Sequence, residues 1–164
     1  MAKRFAGDIT FDAAPDVVFA AQSDPHYVVW KHEHMAAFDV SAEVVEDGTH
    51  VVIRSSRKLP AEIPSAARKF VGESIQIDEV HTWSHPDTDG ARHGTVTASF
   101  GGAPMEVYGT LELHPEGEGS LLKVVIHAKA HVPLVGGKIE NVVGEQFMRA
   151  LRKEQKISPQ WFTE

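Results

Sequence analysis

Between Phe38 and Ala130 the chain keeps a two-residue period, and each run is apolar on one side only. Phe38, Val40, Ala42 and Val44 alternate with polar residues, Asp47-Gly48 supplies turn chemistry, and "HVVIRSSRKL" runs back as the second arm of a hairpin. The pattern returns in "ESIQIDEVHTWS", "ARHGTVTASF", "MEVYGTLEL" and "LLKVVIHAKAHV", separated by the turn-like stretches "HPDTDG", "GGAP" and "HPEGEGS". Only "PAEIPSAARKFVG" interrupts, with two prolines and a short helical patch. Alternation of this kind belongs to an antiparallel meander with one face in water, so the other face needs a cover.

Before the meander stand one further alternating strand, "RFAGDITF", and two short helical patterns, "DAAPDVVFAAQSD" and "HYVVWKHEHM". After it comes the one element long enough to cover a sheet. Val135, Ile139, Val142, Val143, Phe147, Ala150 and Leu151 fall at helical spacings of three and four, which predicts a helix from near Leu134 to near Lys156. The fold class implied is α+β: a seven-stranded curved antiparallel sheet around a long C-terminal helix, with two short helices after strand 1, as one domain over residues 1–164.

Two glycines, Gly136 and Gly137, open that helix. A phosphate cradle would need G-x-x-x-x-G-K-[ST], but Gly137-Lys138 is followed by Ile139 and the first glycine position holds Val132. Pro133 ends the strand ladder, and the glycines are read as a corner, through positive φ or close backbone approach. A functional reading can hold beside this one, in which the missing side chains leave a gap for a ligand.

Composition narrows the function. The chain has no cysteine, which removes thiolate metal sites and thiol nucleophiles. A net charge of −7 without a basic cluster speaks against nucleic acid as a partner. No apolar run is long enough for a membrane span and no signal-peptide pattern opens the chain, so the expectation is a cytoplasmic protein. The ten histidines match no zinc spacing; His32 and His34 diverge on a helix, and the histidines are read as solvated. No metal and no cofactor is expected. There is no G-x-S-x-G elbow either.

Parity singles out one polar pair. Glu79 shares its strand face with Ile75, Ile77, His81 and Trp83, while Arg57 shares its face with Val51, Ile53, Ser55 and Leu59. Their strands should be neighbours, so the two charges are candidates to meet inside. Trp30, Phe38, Trp83, Phe100 and Phe147 either ring a ligand or fill a core. Small inward residues (Gly7, Ala42, Gly109, Ala128, Ala130, Ala150) point to under-filled volume.

The layout resembles the helix-grip fold of the START / polyketide-cyclase / Bet v 1-like (SRPBCC) superfamily. It is similar to a bacterial family in that group described only as a domain of unknown function. The stretches that carry the likeness are "VPLVGGKIE", "GAPMEVYGTLELHPEGEGS", Trp83 and Trp161. The resemblance implies a hydrophobic cavity for lipids, polyketides or other apolar small molecules, and supplies no catalytic residues. The expected lining is Phe38, Val40, Ile53, Ser55, Arg57, Glu79, Trp83, Val96, Ala98, Val107, Leu111 and Ile126 from the sheet. Val135, Ile139, Val143 and Phe147 are expected from the helix. The favoured reading is a carrier or sensor of an apolar small molecule; the alternative is a cyclase or dehydratase using Glu79, Arg57 and His81, and the second alternative a chaperone-activator-like interaction module. A monomer or weak homodimer is expected.

Overall fold

The computed structural model describes residues 2–60 and 74–163, so the helical patch expected within 61–73 lies outside the described residues. In chain order the elements are β1 (Lys3–Phe11), α1 (Pro15–Gln22), α2 (Pro25–Glu33), β2 (Phe38–Glu46), β3 (Val51–Pro60), β4 (Ser74–Trp83), β5 (Arg92–Ser99), β6 (Met105–Glu116), β7 (Gly119–Ala130) and α3 (Gly136–Phe162). The strands form a seven-stranded sheet in the order β1-β7-β6-β5-β4-β3-β2, with every neighbouring pair antiparallel.

Each local choice has a visible cause. Pro15 and Pro25 occupy the first turns of α1 and α2, where a missing N–H costs nothing. The Asp24 side chain caps α2 by accepting from the His26 N–H at 2.8 Å. At the β2–β3 turn the Asp47 carboxylate accepts the N–H groups of His50 and Thr49, which hold its pKa down to about 2. The alternation sorts as the sequence implies: Leu122, Val124, Ile126, Ala128 and Ala130 of β7 are all buried.

At the start of α3 the structure selects between the two roles expected of the glycines, and at its end it corrects the expected boundary. The left-handed residue before the helix is Leu134 (φ 69°), and neither Gly136 nor Gly137 has positive φ. Gly136 is needed for close approach instead: a Cβ there would meet the Ala130 carbonyl oxygen at 3.0 Å. The helix also begins at Gly136 and continues through Pro159 to Phe162, past Lys156. Aromatic packing holds the extra turn, with Trp161 at 5.2 Å from Tyr27 and 5.5 Å from Trp30, and Phe162 at 6.0 Å from Phe11.

The helix lies over one side of the sheet, packing chiefly on β1 and β7. Two glycines set that approach. At Gly7 a Cβ would meet Leu151 and Met148 at 3.1 Å, and at Gly144 it would fall inside the Phe5 ring. The sequence suggests spare volume at Gly7, but the helix side chains occupy the space it gives. Because the helix packs chiefly on β1 and β7, the open volume appears beside β3 and β4.

Candidate functional site

The inner face of β3 and β4 carries Leu59, Ile75 and Ile77, and α3 faces it with Val143, Phe147 and Ala150. Between them lies a cleft of about 360 Å³, closed further by Met35 and Ala37 after α2 and by Phe100 and Met105 across the β5–β6 turn. Its size and apolar walls fit a small-molecule site. Deeper in the fold a second space of about 60 Å³ is bounded by Glu79, His81, Trp83, Leu111, Ile126 and Glu154, among others. His32, Met35, Arg57, Phe147 and Ala150 border both spaces.

At the junction sits a buried charge cluster. Residues Arg57 and Glu79 are only 5% and 8% exposed, and Arg57 Nη2 lies 2.9 Å from Glu79 Oε1. That distance makes an ion pair without hydrogen-bond geometry, and among the described residues neither Glu79 Oε1 nor Arg57 Nη1 has a hydrogen-bond partner. The other carboxylate oxygen, Glu79 Oε2, contacts His81 Nε2. Burial alone raises the Glu79 pKa, but the guanidinium of Arg57 and then His81 more than offset it and hold the carboxyl well below its usual range. His32 is pushed well below its usual value by burial first and by the Arg57 charge second, so its imidazole is neutral.

A second buried cluster sits where α1, α2 and α3 meet. Glu154 Oε2 accepts from Tyr27 Oη at 2.7 Å and Gln22 Nε2 at 2.8 Å, while Oε1 pairs with Lys31 Nζ at 3.2 Å. Burial pushes the Glu154 carboxyl up; Lys31 and these donors bring it below its ordinary value. Burial beside Glu154 pushes the Tyr27 hydroxyl far up, so it remains a donor.

The structure distributes the expected lining residues unevenly. Val143, Phe147 and Arg57 line the large cleft, and Arg57, Glu79, Trp83, Val96, Leu111, Ile126 and Phe147 border the small one. Ile53, Ala98, Val107 and Ile139 are packed core with no free face on either space. Val40, Ser55 and Val135 are part-buried and likewise outside both. Phe38 is displaced altogether: an irregularity between Phe38 and Ser41 pairs it with Lys58 on the outer face, where it is 43% exposed. One extra residue reverses the parity, and period counting does not see it.

Sequence reasoning missed His32, Lys31 and Glu154. Histidine spacing implies a solvated His32, yet it is only 8% exposed. The signal existed: residues 27, 28, 31 and 32 share one helix face, and Glu154 continues the α3 stripe between Leu151 and Ile157. Their charge hid the pattern. Among the described residues no group of three or more His, Asp or Glu side chains is arranged to hold a metal ion, and no helix is long and apolar enough to cross a membrane.

A curved antiparallel sheet holding a long C-terminal helix over an apolar space defines the helix-grip class. Its likeness to solved structures agrees. A protein from Thermus thermophilus superposes with a TM-score of 0.61 at 17% identity, covering 94% of this chain and 92% of the other. The Zhui aromatase/cyclase from a Streptomyces species gives 0.56 at 12% identity over 96% and 95% of the two chains. Norcoclaurine synthase from Thalictrum flavum gives 0.54 at 16% over 96% and 87%. At such identities the likeness is one of fold. Within that class the chain belongs to the family described as "Protein of unknown function (DUF2505)", which matches residues 7–162. An uncharacterized protein of Mycobacterium tuberculosis is 25% identical over 126 residues, 76% of this chain and 72% of the relative.

Proposed function

We propose that this protein binds an apolar small molecule in the cleft between α3 and the β3–β4 face. The observation that carries the reading is the cleft itself: about 360 Å³ with walls of Leu59, Ile75, Ile77, Phe100, Val143 and Phe147, and with the buried Arg57 guanidinium among its lining. Burial of ligand surface at ~25 cal/mol per Å² supplies affinity, and the guanidinium supplies orientation. The likeness to an aromatase/cyclase and to norcoclaurine synthase is compatible with a small-molecule site. Native mass spectrometry of protein purified from its own organism should show a retained organic mass that leaves on gentle activation. The neutral dye N-phenyl-1-naphthylamine should brighten on binding the emptied protein. Neither a retained mass nor dye binding would sink the reading.

A second reading, proton transfer at His81, draws on the Glu79–His81 contact and the 20% exposure of the His81 side chain. Glu79, held ionised, is a poor acid and a good orienting partner. Turnover of aromatic polyketide mimics by the parent, abolished in His81→Gln, would promote this reading over simple binding.

A further inference from the structure

The charged residues described around the large cleft have one sign. Among the described lining residues the charged ones are Arg57, Arg149 and Lys153, with His32, His34 and Gln146 as the other polar groups and no carboxylate. A chain of net charge −7 has thus placed cations around its main cavity. Arg149 and Lys153 are exposed and stand four apart on α3, so they share a side of the helix. Like charges at this spacing repel, and among the described residues neither has a carboxylate within 4.0 Å. An anion between them would remove that repulsion.

The inner end makes a different demand. Arg57 is 5% exposed, and its positive charge is already matched by Glu79 at 2.9 Å. A ligand carboxylate beside it would place a second negative charge against Glu79 in a poorly solvated site. What Arg57 still lacks, among the described residues, is an acceptor for Nη1; that nitrogen is closed to solvent, so a small shift of the side chain is needed for an uncharged ligand oxygen to reach it. Resting on the small-molecule reading above, we infer that the ligand is an oxygenated amphipathic acid. Its carboxylate lies at the rim with Arg149 and Lys153, its apolar body lies between α3 and β3–β4, and a keto or hydroxyl oxygen accepts from Arg57 Nη1.

Displacement of bound N-phenyl-1-naphthylamine from the full chain tests each part. Dodecanoate should displace the dye at ~10-fold lower concentration than dodecan-1-ol, an advantage of the size two exposed ion pairs give, and dodecyltrimethylammonium should be weakest. High salt, or the exposed double change Arg149→Glu with Lys153→Glu, should erase the acid's advantage and leave the alcohol unchanged. With the rim intact, 11-oxododecanoate should displace the dye several-fold better than dodecanoate, about what one added hydrogen bond gives. That gain should vanish when Arg57→Met is combined with Glu79→Gln. If this double variant fails to fold, Arg57→Lys, which keeps the charge and loses the fork, should reduce the same gain. Equal displacement by acid and alcohol, or an acid advantage untouched by the rim changes, overturns the inference while the cavity stands. No gain from the keto oxygen overturns its inner half. A dye that never binds, with no competitor retained in native mass spectrometry, overturns both the inference and the binding reading.

Discussion

Two sides of α3 meet the rest of the protein in opposite ways. Toward β1 and the two short helices the helix is locked. Gly144 takes the Phe5 ring against bare backbone, Gly7 takes Leu151 and Met148, and Glu154 collects three donors from α1 and α2. Toward β3 and β4 the same helix presents Val143, Phe147 and Ala150 to an apolar space of about 360 Å³. The two buried charge clusters follow the same division. At Glu154 both carboxylate oxygens are bonded, whereas at Arg57–Glu79 one guanidinium nitrogen and one carboxylate oxygen are without a hydrogen-bond partner among the described residues. A satisfied buried network fixes a geometry; an incomplete one keeps bonding capacity in reserve. The helix is anchored on one side so that the other stays open.

The largest effect should come from the locked side. Glu154→Leu strands the Lys31 ammonium in a buried site and frees Tyr27 and Gln22, so chemical denaturation should show a loss of about 3–5 kcal/mol. A loss below about 1 kcal/mol, as for a surface pair, would erase the contrast between the sides.

Acid should separate the sides by pH. The native pKa of His32 is lowered below its ordinary 6.5, so the unfolded chain takes up that proton first. Stability is independent of this group above pH 6.5 and is lost as pH falls below it, at up to about 1.4 kcal/mol per pH unit. Glu79 and Glu154 are also lowered, from 4.5, so their contributions are full above 4.5 and drain only as pH falls further. Melting temperatures from pH 8 to 3 should therefore decline in two stages, and His32→Gln should abolish only the first. A single decline beginning near 4.5, unaltered by that change, would contradict a buried neutral imidazole at the cleft.

The smallest effects give the sharpest comparison, because they concern adjacent residues. Gly144→Ala forces the Phe5 ring aside, an overpacking of about 1–3 kcal/mol partly offset by the ~1 kcal/mol helix preference of alanine. Phe5→Leu should relieve it. Val143→Trp points into the cleft and should change stability by less than about 1 kcal/mol, the extra bulk filling space and weakening dye binding. If Val143→Trp destabilises more than Gly144→Ala, the supposed open side is a packed core.

Much of this architecture is legible in the sequence, since burial on one face writes itself as a period. The seven strands, their antiparallel order and the covering helix follow from alternation at residues such as Val107, Leu111, Val124 and Ile126 and from turn chemistry at Asp47-Gly48. Parity also puts Arg57 and Glu79 on facing inward positions. What period counting could not locate was the gap. A strand pattern says which residues point inward, and not whether the helix lies over them. That offset is set by Gly7 and Gly144, whose meaning depends on residues at the opposite end of the chain. Lys31, His32 and Glu154 escaped for a related reason: a charged side chain in an apolar stripe reads as an exception until its partners are known.

The irregularity that turns Phe38 outward has a consequence beyond the site. The sheet has two edge strands, β1 and β2, and among the described residues no further strand pairs with the outer side of β2. Asp39, at φ 52°, breaks the regular spacing of β2, and its carboxylate stands 3.5 Å from Lys58 Nζ on the neighbouring strand. An incoming strand would lose register at this point and bring its own backbone against fixed charges. The same kink that removes an aromatic ring from the interior therefore works against strand addition along this edge of the sheet.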